Sequence, residues 1–386
     1  MKVIINALHR ATRPTGVCRY AFNLAIDLSS LSNIEEVVLL VGKWQECYFY
    51  SSFEVNKSKI KIVAIDIKNN ALSRNFWFLL SLPKIVKKLR GDLLHLSFPI
   101  PVVGHWMKVP TYVTVHDLYP YDIPENFGFP RVYFNRLFLL MSVKTIENIV
   151  CVSHTTKKRL IHYFPQECKE KKISVVYNTV KFSSVKEVEP NFLSHLQYSP
   201  FFLCNSQHRK NKNIPLILEA FSDLLLSRKI NSKTFLLIVG SKGPETEKIS
   251  KMLWDFRIDK NTIFVDSITD NELAWLYKKC QLFIAASSCE GFCIPLAEAL
   301  LFSTNVVCSN ISIFKEIGDN SFTYFDLDKN ASHNLAKAIE NSLNYKVFKN
   351  TVVQDSVSKN RNLFLSSADK YGDLYSRSLV NTPTFQ

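Results

Sequence analysis

Short apolar runs bounded by turn residues alternate along this chain with longer stretches of helical spacing, and that alternation predicts an α/β protein with parallel sheets. The runs 3–6 (VIIN), 36–42 (EVVLLVG), 61–66 (KIVAID), 92–98 (DLLHLSF), 111–115 (TYVTV) and 148–153 (NIVCVS) are predicted strands, the last of them closing the first half. A helix is predicted from near Cys18, with apolar residues at Ala21, Leu24, Ala25 and Leu28. Residues 181–200 are polar and aperiodic, carry two prolines and are predicted to link two domains, 1–180 and 201–355. A new strand series opens at 201–205 and continues at 235–240, 262–265 and 280–286, with a helix over 214–226. The remainder, 356–386, is predicted to be helical and polar.

The stretch 74–89 (RNFWFLLSLPKIVKKL) admits two readings. It is either a core helix with a solvated basic end or an interfacial segment. In the second, Trp77 and the neighbouring Phe residues dip into a bilayer while Lys84, Lys87, Lys88 and Arg90 meet anionic headgroups.

Length and composition narrow the class. A chain of 386 residues suits two domains, and 47% hydrophobic content supports two cores. The nine cysteines are odd in number and scattered, and Cys289 and Cys293 have no second ligand pair nearby, which argues against zinc. Reduced thiols and the absence of any signal-like or membrane-spanning run predict a cytoplasmic protein. The net charge of +14 leaves nucleic acid, an anionic membrane surface or phosphorylated ligands as partners. No zinc finger, RNA-recognition motif or basic zipper is present, so nucleic acid is not expected.

The densest chemistry lies at 287–300 (SSCEGFCIPLAEAL). A buried strand precedes it, Gly291 marks a corner, and Pro295 suits a first helical turn. Unpaired amides and the helix dipole make such a place a good anion site. Glu290 and Glu298 flank it. A phosphate site rimmed by carboxylates suits a ligand with both phosphates and hydroxyls, such as a nucleotide sugar. The plainer reading is that Glu290 favours a helix N-terminus and Glu298 is solvated. The second signal is 207–213 (QHRKNKN), where His208, Arg209, Lys210 and Lys212 precede a helix. Cations there oppose the helix dipole unless an anion sits between them. In the first half, the loop holding Arg10, Arg13, Pro14, Thr15 and Gly16 follows the first strand and precedes a helix, a generic phosphate-binding layout. His116 and Asp117 follow a strand at the end where open α/β sheets bind ligands. Asp326 and Asp328 form a D-x-D after the last strand and read as surface, and no Mg²⁺ or Mn²⁺ site is otherwise expected.

On these residues the chain resembles the family 4 retaining glycosyltransferases. Glu290 to Ala299 (EGFCIPLAEA) matches the family's E-G-F-G-x-P-x-x-E-A, with Cys293 in place of the second glycine. The stretch 16–20 (GVCRY) resembles G-I-G-R-Y, and 116–118 (HDL) with Pro124 and Phe127 resembles H-D-L…P..F. Residues 209–213 resemble R-P-H-K-N, 175–180 (VVYNTV) resembles V-Y-N-G-V, and 269–276 and 305–326 resemble the segments flanking the main motif.

The resemblance implies two Rossmann-like domains facing across a cleft (the GT-B type), with a C-terminal helix crossing back to the N-terminal domain. It implies that the first domain binds acceptor and the second a nucleotide sugar. Arg209 and Lys212 would clamp the donor diphosphate, and Glu290 would bind donor sugar hydroxyls. His116 would line the donor sugar, with Asp117 organising its loop. Gly16 and the backbone of Gly291, Phe292, Cys293 and Ile294 would approach the donor, and Glu298 would hold the ribose. No cofactor or metal is implied, the nucleotide sugar being a co-substrate. Among relatives, the motif combination is most like bacterial mannosyltransferases of O-antigen or capsule assembly. That implies GDP-mannose as donor, a polyprenyl-diphosphate-linked saccharide as acceptor, and peripheral contact with the anionic cytoplasmic face of the inner membrane. A UDP- or dTDP-sugar donor on the same fold is the nearest alternative. A glycoside hydrolase, which has no need of a diphosphate clamp, and a non-catalytic polyanion-binding protein are the others.

Overall fold

The computed structural model describes residues 1–12, 15–52, 59–180, 186–196, 199–344, 364 and 367–380. Arg13, Pro14, parts of the predicted linker (181–185 and 197–198) and the predicted boundary at 355–356 lie outside the described residues. The chain divides into two compact units, Met1–Thr179 with Leu363–Gln386, and Val180–Asn362.

Unit 1 is built on strands β1 (Lys2–Asn6), β2 (Glu36–Gly42), β3 (Ile60–Ile65), β4 (Leu93–Leu96), β5 (Thr111–Val115), β6 (Asn148–Cys151) and β7 (Lys172–Val175). They form one sheet in the order β3-β2-β1-β4-β5-β6-β7, every pair parallel. Both faces of a parallel sheet are covered, which is why its central strands read as unbroken apolar runs. β7 corrects the expectation that 148–153 ends this half. It is an edge strand, its sequence KISV carries a lysine and one isoleucine, and none of its residues is fully buried, so it gives little hydrophobic signal.

One face of the sheet is covered by the helices Ala71–Phe76, Leu82–Lys88, Arg131–Thr145 and His154–Tyr163, through Trp77, Phe78, Leu82, Leu139, Val143 and Leu160. The stretch expected as one helix over 74–89 is two helices joined by a π-turn, Trp77–Ser81, in which Leu82 N–H reaches back five residues to Trp77 O. Pro83 follows, supplies no N–H and is tolerated in the first turn of the second helix. Trp77 is buried in the core, which overturns the reading that inserts it in a bilayer. Lys84, Lys87, Lys88 and Arg90 are exposed.

The other face is covered by the helices Gly16–Ser29, Lys43–Ser52 and Ala368–Val380. The last of these is the expected return of the C-terminal helix to the first domain. Its Tyr371 and Tyr375 are fully buried and tied into unit 1: Tyr375 OH bonds His95 Nδ1 (2.6 Å), and Tyr371 OH bonds Tyr20 OH (2.5 Å). Tyr20 OH in turn meets Thr114 Oγ1 (2.7 Å), which also bonds His95 Nε2 (2.8 Å).

Unit 2 holds β8 (Phe201–Asn205), β9 (Phe235–Val239), β10 (Thr262–Val265), β11 (Leu282–Ala285), β12 (Val306–Ser309) and β13 (Thr323–Phe325). Its parallel sheet has the order β10-β9-β8-β11-β12-β13. Counted from its own first strand this is 3-2-1-4-5-6, the Rossmann order, and unit 1 repeats it with one strand added. In such sheets ligands bind beyond the carboxyl ends of the two strands where the order reverses. Those are β1 and β4 in unit 1, and β8 and β11 in unit 2.

Candidate functional site

Two loops leave the switch point of unit 2, one after β8 and one after β11. The first turns through a single 3₁₀ turn, Lys210–Lys212, and Asn213 adopts a left-handed backbone (φ 50°) before the helix Ile214–Leu226, which has Pro215 in its first turn. The second passes through Gly291 and Phe292 to Cys293, also left-handed (φ 68°), and enters the helix Ile294–Leu301 with Pro295 in its first turn. Cys293 stands where the resembled motif has glycine, and its positive φ explains that preference, since a Cβ is unfavourable there.

The loops are stitched together. Asn213 Nδ2 donates to Ala286 O (2.9 Å), Asn211 Nδ2 to Cys289 O (3.1 Å), and Ser288 N to Asn211 O (2.8 Å). A third loop braces the first from β9, where Gly240 has φ +153° and a Cβ would lie 2.1 Å from Ser206 O. Only glycine permits that approach.

This stitching brings the predicted residues together. Lys212 Nζ forms an ion pair with Glu290 Oε1, which also accepts from Ser287 Oγ (2.7 Å). The side chains retain only 18% and 5% exposure. Burial works against the Lys212 ammonium, but the Glu290 carboxylate outweighs it and holds the group above its ordinary value. The thiol of Cys293 is pushed far up by burial and by the Glu290 charge, with Lys212 and Glu298 also within electrostatic reach. It is therefore a neutral group, not a thiolate nucleophile. Arg209 is partly exposed and pairs with no carboxylate among the described residues.

Glu298 is buried rather than solvated, and its Oε2 accepts from Tyr277 OH (2.7 Å). Tyr277 in turn accepts from Asn205 Nδ2 at the end of β8 (3.2 Å). The two carboxylates thus hold different partners. His208 is buried, bonds Thr246 Oγ1 through Nδ1 (3.0 Å) and packs its ring edge-on to Phe264, so it is part of the loop's support. Lys210 is exposed.

The remaining predicted residues lie in unit 1. His116 follows β5, and its Nε2–H donates to Ser97 O (2.8 Å). Burial holds its pKa down at about 4, the bond to Ser97 O offsetting only part of this. The ring is neutral at physiological pH, and with Nε2 donating, Nδ1 is an acceptor. Tyr20, from the GVCRY stretch, packs edge-on against it at 4.7 Å, so two motifs of this half meet. Asp117 Oδ1 accepts from Tyr119 N (3.0 Å) and turns the loop. Gly16 is exposed at the start of its helix, and a Cβ there would meet nothing within 4 Å. Asp326 and Asp328 bond Asn310, Asn330 and Asn334 near the start of the helix Ala331–Asn344. No group of three or more His, Cys, Asp or Glu among the described residues is arranged to hold a metal ion.

Sequence reasoning did not single out Tyr20, Ser287, Asn205 or Tyr277. The hydroxyls of Tyr20 and Tyr277 were the available signal, because a tyrosine inside an apolar helical pattern needs a partner for its OH. The switch points themselves differ. In unit 2, Asn205 and Ser287 are bonded to Tyr277 and Glu290. In unit 1, Asn6 ends β1 as Asn205 ends β8, and Ser97 follows β4 directly; both are fully buried, and neither side chain has a hydrogen-bond partner among the described residues.

Comparison with known proteins assigns this architecture. Residues 14–183 match the model described as "Glycosyltransferase Family 4", and residues 186–354 match "Glycosyl transferases group 1". The O-antigen chain mannosyltransferase RfbU of Salmonella typhimurium is 26% identical over 338 residues, 86% of this chain and 88% of its own. The crystal structure of WaaG, a glycosyltransferase involved in lipopolysaccharide biosynthesis, superposes with a TM-score of 0.72 at 13% identity, covering 97% of this chain and all of WaaG. Anabaena HepE in complex with UDP and glucose gives 0.71 at 14%, covering 98% and all of that chain. With a family model matched to each half and the same double Rossmann fold in the solved structures, the chain belongs to glycosyltransferase family 4.

Proposed function

We propose that this enzyme is a retaining hexosyltransferase that moves mannose from GDP-mannose to a polyprenyl-diphosphate-linked saccharide in bacterial surface polysaccharide synthesis. The observation that supports the donor site is the stitched pair of loops at the unit 2 switch point, which brings Lys212 and Glu290 together beside Cys293 at the N-terminus of the helix Ile294–Leu301, with Arg209 on the same loop as Lys212. The mannose assignment is supported by similarity to proteins named O-antigen mannosyltransferases, which include RfbU and an Escherichia coli WbdA matched over 29% of its length.

In this reading Arg209 and Lys212 neutralise the departing diphosphate, and the helix amides after Gly291, Phe292, Cys293 and Ile294 add donors, so no metal or cofactor is required. Glu290 accepts from hydroxyls of the transferred sugar while anchoring Lys212, and Glu298 accepts from the ribose. His116 offers a neutral imidazole to the sugar, and Gly16 leaves its loop open to close approach. The bond from the anomeric carbon to the β-phosphate oxygen breaks. The acceptor hydroxyl oxygen bonds the same face of that carbon, and its proton passes to the leaving phosphate. A lipid-linked acceptor places the enzyme at the anionic cytoplasmic face of the membrane.

The test is a thermal-shift series with GDP, UDP, TDP and ADP, each with and without Mg²⁺. Ligand binding to the native state raises the melting temperature by mass action. GDP alone is expected to shift it without help from Mg²⁺, and Lys212→Ala to weaken GDP binding at least about tenfold, a loss of about 1.4 kcal/mol. A shift with UDP or TDP instead would move the donor to a UDP- or dTDP-sugar. No shift with any of the four would overturn the donor site.

A further inference from the structure

Tyr277 stands in the helix Asp270–Lys279, which precedes β11, and its ring is fully buried. It stacks on Phe302, with ring centroids 5.6 Å apart and 11° between the planes, and lies tilted against Phe283 at 5.5 Å. The backbone is held as well, since Thr304 Oγ1 donates to Tyr277 O (2.8 Å). Phenylalanine would fill this slot equally well, as it does at the neighbouring Phe283 and Phe302. What the tyrosine adds is a hydroxyl, and a buried hydroxyl needs partners.

The two bonds of that hydroxyl run in one direction. Asn205 Nδ2, at the end of β8, donates to it (3.2 Å), and the hydroxyl donates to Glu298 Oε2 (2.7 Å). An amide nitrogen cannot accept, so the carboxylate takes the phenol proton's bond. Burial and the Glu298 charge raise the phenol well above its ordinary value, so it keeps its proton and acts as the donor. Glu298 itself retains 5% exposure, on the helix that follows the anion-binding loop. A buried carboxylate in such a place is costly unless it is held by partners. The relay supplies one and ties it to β8, which pairs directly with β11 across the switch point. A carboxylate only accepts, so a ligand meeting it must bring donors such as hydroxyls, and an oriented carboxylate favours hydroxyls in one position.

We propose that Tyr277 is a positioning residue for the Glu298 carboxylate, and that the relay from Asn205 through Tyr277 to Glu298 sets a preference for a ribonucleotide over its 2′-deoxy counterpart. This rests on the reading of Glu298 as the group that accepts from the ribose. Tyr277 touches no ligand in this scheme. It acts by fixing the carboxylate oxygen it bonds and thereby the plane in which Glu298 meets the ribose hydroxyls.

The full-length chain is titrated calorimetrically with GDP and with 2′-deoxy-GDP, or with the corresponding UDP pair if UDP is the nucleotide that raises its melting temperature. The parent is expected to bind the ribonucleotide at least about tenfold more tightly than the deoxy form. Tyr277→Phe keeps the ring and removes the hydroxyl, and is expected to lower that ratio at least about threefold, by weakening the ribonucleotide and not the deoxy form. Asn205→Ala leaves Tyr277 and its packing in place, is expected to lower the ratio in the same direction, and decides the matter should Tyr277→Phe fail to fold. Lys212→Ala is expected to weaken both nucleotides and keep the parent ratio, because it acts on the diphosphate. A ratio unchanged in Tyr277→Phe and Asn205→Ala overturns the proposal, and so does an equal loss of both nucleotides, which a merely structural tyrosine would give. A parent with no preference for the ribonucleotide overturns it too, while leaving the diphosphate clamp standing if Lys212→Ala still weakens both. A chain that binds none of these nucleotides overturns the donor site itself.

Discussion

Asn6 and Ser97 hold three buried polar atoms with no hydrogen-bond partner among the described residues, beside the switch point of unit 1. A buried donor or acceptor left unpaired costs about 1–3 kcal/mol, and replacing it with an apolar group of similar shape removes that cost. Asn6→Leu and Ser97→Ala are therefore expected to melt at or above the parent temperature, each by up to a few degrees, in a thermal denaturation scan. A clear drop in both would show that these groups are bonded in solution. At this scale the sequence was informative about which residues matter and silent about their pairing. Glu290 and Lys212 stand out by motif, yet they are 78 positions apart, and it takes the pairing of β8 with β11 and the Asn211 and Asn213 bonds between the two loops to bring them into an ion pair. Glu298 reads as a solvated helix residue until Tyr277, from a different helix, is found over it.

Among the elements, the C-terminal helix depends on polar contacts for its placement as much as on apolar ones. His95 is completely buried, and burial, with a smaller contribution from His116, lowers its pKa to about 3, so it is a neutral ring whose two nitrogens both need partners. Tyr375 OH serves Nδ1. Tyr375→Phe leaves that nitrogen unpaired and is expected to destabilise unit 1 by about 1–3 kcal/mol. Asp373→Asn, on the exposed side of the same helix, should change stability by less than about 0.5 kcal/mol. Equal effects in urea denaturation would refute the role given to the tyrosine. Helices with clear apolar spacing and a proline or glycine at one end, such as Ile214–Leu226, were legible to the residue. The π-turn at Trp77–Ser81 was not, because nothing in residue spacing announces a bond to the fifth residue back.

For the whole molecule, acid acts unequally on the two units. His9, His95 and His116 all lie in unit 1. Burial holds them at about 4, 3 and 4, with Arg10 and Arg74 also lowering His9. An unfolded chain takes up these protons near 6.5, so it binds more protons than the native state below that value. The stabilisation is complete above about pH 6.5 and is lost as pH falls towards about 4. Scanning calorimetry is expected to show the melting of unit 1 falling over that window more than that of unit 2, where His208 is the histidine shifted downwards by burial. Parallel declines in both units would refute the assignment. The two-sheet plan was legible because short apolar runs bounded by turn residues alternate with helical spacing in both halves of the chain, whereas the edge strand Lys172–Val175 was not, since its residues carry little hydrophobic signal.

The return of Ala368–Val380 to unit 1 has a consequence for synthesis. Unit 2 is continuous in sequence and can collapse on the ribosome as soon as its own residues have emerged. Unit 1 begins first but waits for Tyr371 and Tyr375, some 350 residues downstream of Tyr20, before the face formed by β4 and β5 is closed. The nascent N-terminal sheet thus spends most of translation with His95 and Tyr20 uncovered. This window is long at about 5–20 residues per second and exposes an apolar face to chaperones or aggregation.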